Sequence, residues 1–224
     1  MDKKQFFSKA MLLLVSCLAV VAFVVFSGQI RVWHGVILLL LFLAFITSNL
    51  VESRKENKNF CLQKTSVNLE IKTTLKQDIF WLCLGAVAIS FGAYTLINSA
   101  SFLATSIGVP AQIIGITLVA GGTSLPELVT SLTALKAGKT NLGVGNIIGA
   151  NVINLTLILG TSSIIMGGLY VDDFTRNVVV FVMLAKVLIL VIPTIITGKL
   201  KKWIGGVMLL AYILLLVYNV ISIV

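Results

Sequence analysis

The chain has 224 residues, 58% of them hydrophobic and only 11% charged. Soluble domains carry about 25% charged residues, so the composition excludes a soluble globular fold and indicates an all-α polytopic membrane protein. The net charge of +9 would suggest nucleic acid in a soluble protein; here no nucleic-acid partner is expected, and the charge is read by where it falls along the chain.

Seven apolar runs of about twenty residues follow in order: Ala10–Ser27, Val32–Leu50, Asp78–Asn98, Ala111–Leu135, Leu142–Gly168, Val178–Thr197 and Trp203–Ser222. The first lacks a small-x-small cleavage site and leads directly into the second, so it reads as a retained helix rather than a signal peptide. Between the second and third lies the one long polar stretch, Val51 to Gln77, with Glu52, Arg54, Lys55, Glu56, Lys58, Lys64, Glu70, Lys72 and Lys76. It reads as a solvated linker.

With the spans alternating, fourteen of the 17 Lys and Arg residues fall on one side of the membrane. They precede the first span, fill the linker, join the fourth and fifth spans (Lys136, Lys139), and join the last two (Lys199, Lys201, Lys202). Only Arg31 and Arg176 fall on the other side. The positive-inside rule then predicts a cytoplasmic N-terminus and linker and an outside C-terminus, in a cell inner or plasma membrane. Lys186 lies within the sixth span, where it either faces a cavity or marks a misplaced boundary.

A shift of 170 residues lays the N-terminal hairpin on the C-terminal one. Asp2 meets Asp172, Gly28 meets Gly198, Trp33 meets Trp203, Gly35 meets Gly205 and Asn49 meets Asn219, while Arg31 and Lys201 coincide on opposite sides. This pattern predicts an inverted repeat, with a site at the repeat interface near the midplane. Residues 1–50 would be the last two helices of a truncated first repeat, 51–76 the cytoplasmic linker, and 77–224 a complete second repeat of five helices. The counterpart of Gln77 to Val171 is expected in a longer protein of about 320 residues and ten helices, or in a complementary three-helix chain.

The chemistry concentrates in Ala111 to Gly160. From Ala111 to Leu135 the only charged residue is Glu127, at the end of Gly121-Gly122-Thr123-Ser124-Leu125-Pro126-Glu127. An acid within a span costs roughly 2.5–3.5 kcal/mol on insertion scales, which makes it a functional candidate. Pro126 and the two glycines predict a mid-span break that frees carbonyls around Ala120 to Gly122. Thr123 and Glu127, four apart, would face one ion, with Ser124 one step round. Hydroxyl, carboxylate and carbonyl oxygens are hard donors of the kind Ca²⁺ takes. The fifth span carries Asn146, Asn151 and Asn154; the last two share a helical face, and glycines and amides there serve either a ligand or helix packing. Cys17, Cys61, Cys83 and the single His34 have no motif spacing and read as packing residues. Without a catalytic triad, a histidine cluster or a nucleotide loop, the sequence does not suggest an enzyme, and no bound cofactor is expected.

Gly122 to Glu127 (Gly-Thr-Ser-Leu-Pro-Glu), followed by Gly145 to Asn151 (Gly-Asn-Ile-Ile-Gly-Ala-Asn), resembles the α-repeat of the sodium/calcium exchanger (cation/Ca²⁺ antiporter, CaCA) superfamily. The resemblance implies the C-terminal part of a ten-helix inverted-repeat antiporter, exporting Ca²⁺ against Na⁺, or against H⁺ in some branches, by alternating access. It implies Glu127 as the acid shared between cations, Thr123 and Ser124 as oxygen donors, Ala120 as a carbonyl donor, and Asn154 at a position held by Asp or Asn; Asn151 closes the second block. Ala150 stands where the family usually has serine, so one Na⁺ ligand is missing and the coupling ion is left open between Na⁺ and H⁺. The rival expectation is a transport-incompetent fragment or half-transporter, because a single acid among neutral oxygens binds Ca²⁺ weakly.

Overall fold

The computed structural model describes residues 3–63, 75–197 and 202–223. Asp2, Lys64, Glu70, Lys72, Gly198, Lys199 and Lys201, which enter the charge map or the repeat, lie outside the described residues. Helix dominates, as expected where backbone polar groups must be satisfied without water. The order is α1 (Lys3–Ser27), β1 (Gln29–Ile30), α2 (Val32–Gln63), α3 (Leu75–Ser106), α4 (Ala111–Ile114), α5 (Ala120–Thr123), α6 (Leu125–Lys136), α7 (Thr140–Ile153), α8 (Leu159–Ile165), β2 (Leu169–Tyr170), α9 (Val180–Thr197) and α10 (Lys202–Ile223). Three π-helical turns join them without a gap: Gly115–Val119 between α4 and α5, Asn154–Ile158 between α7 and α8, and Thr175–Val179 leading into α9. The chain divides into two compact units, Met1–Asn59 with Val144–Leu215 and Phe60–Gly143 with Leu216–Val224.

In the first unit, α1 buries one stripe. Phe6, Ala10, Leu13, Cys17, Val20 and Val24, spaced alternately by four and three, are all buried. They pack with Val187 and Val191 of α9 in one cluster and with Val180 in a second. The two helices run antiparallel, because Arg176 at the start of the α9 segment donates to the Val25 carbonyl near the end of α1 at 2.8 Å. At that same end β1 pairs antiparallel with β2, Gln29 opposite Tyr170 and Ile30 opposite Leu169. The reversal into β1 uses Gly28 at φ +64°, a conformation that a Cβ disfavours. His34 is buried here, stacked on Phe23 with ring centroids 4.1 Å apart, and its Nδ1 accepts the Arg31 N–H at 3.0 Å. It closes the N-terminus of α2 from the third helical position, as the Glu or Gln of a capping box does. At the opposite end Lys9 and Glu52 approach to 3.9 Å. Helices α2 and α8 meet through glycines: a Cβ on Gly35 would come 2.7 Å from the Gly160 carbonyl.

In the second unit, α3 packs along the π turn Gly115–Val119, α5 and α6. Gly122 lies so close to Ile97 of α3 that a Cβ would collide with its Cγ1. Helix α6 ends in a Schellman motif: Lys139 N–H bonds the Ala134 carbonyl at 2.8 Å and Gly138 N–H bonds that of Leu135 at 3.0 Å. The chain then returns into α7 with Gly143 against Ser131, whose hydroxyl donates to the Gly143 carbonyl at 3.4 Å.

Of the seven predicted spans, five correspond to helices long and apolar enough to cross a membrane: Phe6–Ser27, Val32–Arg54, Lys76–Ser106, Thr140–Ile165 and Thr175–Ile196. The seventh corresponds to α10, Lys202–Ile223, which is apolar over Lys202–Tyr218. The fourth, Ala111–Leu135, is not one helix, because Ser124 and Pro126 interrupt it. The first residues of the polar segment are helical, because α2 continues to Gln63. Charged side chains impose no helix penalty of their own, and Val51 to Gln63 contains neither Gly nor Pro.

Candidate functional site

The break between α5 and α6 sits at Ser124, with φ −89° and ψ −2°. Its N–H reaches back three residues to the Gly121 carbonyl at 3.2 Å, tightening the turn. Pro126 falls in the first turn of α6, where its missing N–H is cheapest, so it starts a new helix rather than kinking an old one. Glu127 is thereby placed in the first turn of α6, the helix end that favours negative charge. Its side chain is half-buried and one carboxylate oxygen, Oε2, is buried completely.

The carbonyl of Ala120 organises the other oxygens. It accepts the Thr123 hydroxyl at 3.1 Å and the Ser124 hydroxyl at 3.2 Å. The break takes the backbone partner from this carbonyl, because the Ser124 N–H turns to Gly121 instead, and the two hydroxyls stand in its place. What remains is a compact set of hydroxyl, carbonyl and carboxylate oxygens within eight residues, Ala120 to Glu127, all in the second unit.

Asn151 and Asn154 belong to the first unit. Asn151 Nδ2 donates one of its two N–H groups to the Ile147 carbonyl of its own helix at 2.8 Å. Asn154 begins the π turn Asn154–Ile158. Among the described residues no group of three or more His, Cys, Asp and Glu side chains forms a metal cluster.

Sequence reasoning missed the π turns. One ends at Val119, directly before Ala120, and another starts at Asn154, beside or at two of the candidate positions. In each a threonine hydroxyl bonds the carbonyl four residues back, Thr117 to Ile113 at 2.6 Å and Thr156 to Val152 at 2.6 Å. The same bond joins the Thr95 hydroxyl to the Phe91 carbonyl inside the regular helix α3, where Leu96 follows, so no residue pattern singles out the π turns.

The profile of the sodium/calcium exchanger protein family matches residues 78–221. The chain belongs to that family. It is 38% identical to the sodium/calcium exchanger MaX1 of Methanosarcina acetivorans over 67% of this chain and 43% of that one. It is 29% identical to the inner membrane protein YrbG of Escherichia coli, over 70% of this chain and 49% of the other. The uncharacterized membrane protein MJ0091 of Methanocaldococcus jannaschii is 28% identical over 86% of this exchanger-family chain and 61% of its own length. The matched stretch thus spans about half the length of these curated relatives. No solved structure matches. The fold is that of an all-α polytopic membrane protein of a transporter family.

Proposed function

We propose that this chain is the site-bearing part of a calcium/cation antiporter in which Glu127 is the cation ligand shared by Ca²⁺ and its exchange partner. The observation that supports the reading is the break at Ser124 in an apolar span, with Glu127 in the first turn that follows it and the Thr123 and Ser124 hydroxyls on the Ala120 carbonyl before it. Irregular backbone at membrane depth is tolerated where it lines a cavity, and transporters use such broken helices to bind ions. Coupling follows from mutual exclusion: one carboxylate cannot satisfy Ca²⁺ and the counter-cation together, so each must leave before the other is carried back.

The topology has support in the first unit. β1 and β2 are paired, so the turns after α1 and after α8 lie at one membrane face and an even number of crossings separates them. Helices α2 and α3 and the segment Thr140–Ile165 supply three, and the interrupted segment Ala111–Lys136 supplies the fourth. The inverted repeat has support as well: α1 and α9, equivalent under the 170-residue shift, pack antiparallel, as two-fold-related helices beside an in-plane axis must. With the positive-inside rule, the N-terminus and the 51–76 segment are cytoplasmic and the C-terminus is outside.

The test is radiolabelled calcium uptake into vesicles driven by an outward Na⁺ or H⁺ gradient. The Glu127→Gln variant, isosteric and uncharged, is expected to lose at least 90% of gradient-driven uptake at undiminished expression, a tenfold change being about 1.4 kcal/mol. Undiminished exchange would remove Glu127 from the mechanism. A second reading, a half-transporter that needs a complementary segment, rests on the shares of MaX1 and YrbG that the chain matches, 43% and 49%. It predicts uptake only on co-expression with a three-helix chain carrying its own acid.

A further inference from the structure

Two neighbouring glycines in the interrupted span stand in different surroundings. A Cβ on Gly121 would meet nothing within 4 Å, whereas one on Gly122 would run into Cγ1 of Ile97 and stand 2.9 Å from its Cδ1. Gly122 is buried in α5, two residues before the break at Ser124. Ile97 comes from the face of α3 that also carries buried Ala93 four residues earlier, while Leu96 beside it is exposed. Its side chain is a hydrocarbon and offers no oxygen to a cation. The Cγ1 that meets Gly122 is moved only by rotation about χ1, and a β-branched residue in a helix has one strongly preferred χ1. Gly122 therefore lies against a stiff stop, not against the pliable end of a long side chain. From Gly122 the chain runs directly through Thr123 and Ser124, whose hydroxyls bond the Ala120 carbonyl at 3.1 and 3.2 Å, into the first turn of α6 with Glu127. Oxygens around a calcium ion lie within a narrow range, about 2.3–2.6 Å, so a shift of this turn by a fraction of an ångström changes what it can hold.

We infer that Ile97 is a positioning residue of the cation site: its Cγ1 stops Gly122 and thereby fixes the turn that carries the Thr123 and Ser124 hydroxyls and leads into Glu127. The inference rests on the antiporter reading, in which this turn holds the cation. It explains why the span needs glycine at 122, where α3 leaves no room for a Cβ, and isoleucine at 97, where a stiff branch is required.

The geometry also supplies its own repair. A Cβ on Gly122 would stand 3.8 Å from Cβ of Ile97, an ordinary van der Waals separation, so alanine at both positions restores a contact that either substitution alone spoils. The test is equilibrium binding of radiolabelled calcium to the purified full chain in detergent, in wild type, I97V, I97A, G122A and the double variant I97A/G122A. Valine keeps a branch at Cβ, and I97V is expected to bind within about twofold of wild type. I97A and G122A should each weaken binding about tenfold, and the double variant should return to within about threefold of wild type. Thermal unfolding of the same samples identifies a purely structural role. Stability that falls in I97A with calcium affinity unchanged would overturn the inference, as would a double variant no better than its weaker parent. Amide hydrogen exchange over residues 121–127 needs no cation and separates the two readings. Wild type that binds no calcium, with exchange in this stretch faster in I97A and restored in the double variant, removes calcium as ligand and leaves Ile97 as the stop that sets the turn. Unchanged exchange in I97A under the same condition overturns that role as well.

Discussion

Asp172 shows how one side chain sets the entry of a span. It lies three residues before Thr175, whose N–H it accepts at 3.1 Å, so it caps the segment that becomes α9. The hydrogen bond from the Thr175 hydroxyl, aided by backbone N–H groups and opposed by partial desolvation, holds its carboxyl below the ordinary value of 3.8. A depressed carboxyl stabilises the folded state above its unfolded pKa, and the contribution is lost as pH falls through the lower folded value. The cap is therefore fully present at neutral pH. Asp172→Ala is expected to cost about 1 kcal/mol, read as a lower melting temperature in detergent at pH 7, with the gap to wild type closing in strong acid. An equal gap at every pH would assign the loss to something other than the charged cap. His34 does similar work at the start of α2, and there the sequence suggested only packing. A lone histidine three residues after an arginine carries no pattern that distinguishes a cap from core filler.

At the scale of helices, glycine contacts fix the closest approaches. Gly35 admits α8 so tightly that a Cβ would meet both the Gly160 carbonyl and the Ser163 hydroxyl. Backbone cannot retreat as a flexible side chain can, so Gly35→Ala should destabilise the first unit by about 1–3 kcal/mol, measured as the shift of its thermal unfolding. A neutral effect would mean that α2 and α8 slide apart at little cost. The helices themselves were legible, because apolar runs of about twenty residues dictate them; α1, α3, α7 with α8, and α9 with its π turn cover the predicted ranges. The interruption at Pro126 was legible from its residue type. Its form was not: a proline in an apolar run reads equally as a kink or as a new start, and only the turn at Ser124 decides between them. The π turns escaped because hydropathy is blind to which carbonyl an N–H selects. The two-residue pairing of β1 with β2 escaped because it joins segments about 140 residues apart with no strand pattern of their own.

For the molecule as a whole, the family was legible in two short blocks, Gly122–Glu127 and Gly145–Asn151, because ion chemistry demands particular oxygens in an otherwise apolar chain. The positions of those oxygens depended on contacts that no spacing rule contains: the Ala120 carbonyl taking both hydroxyls, and Ile97 standing against Gly122. A single acid supplies little charge for a divalent ion, so Glu127 should dominate the affinity of this chain. The most direct test of that claim is equilibrium binding of radiolabelled calcium to the purified chain, with and without excess Na⁺, in wild type and in Glu127→Gln. The account predicts calcium binding that Na⁺ displaces and that falls at least tenfold in the variant. Binding that survives the substitution, or that ignores Na⁺, would contradict it.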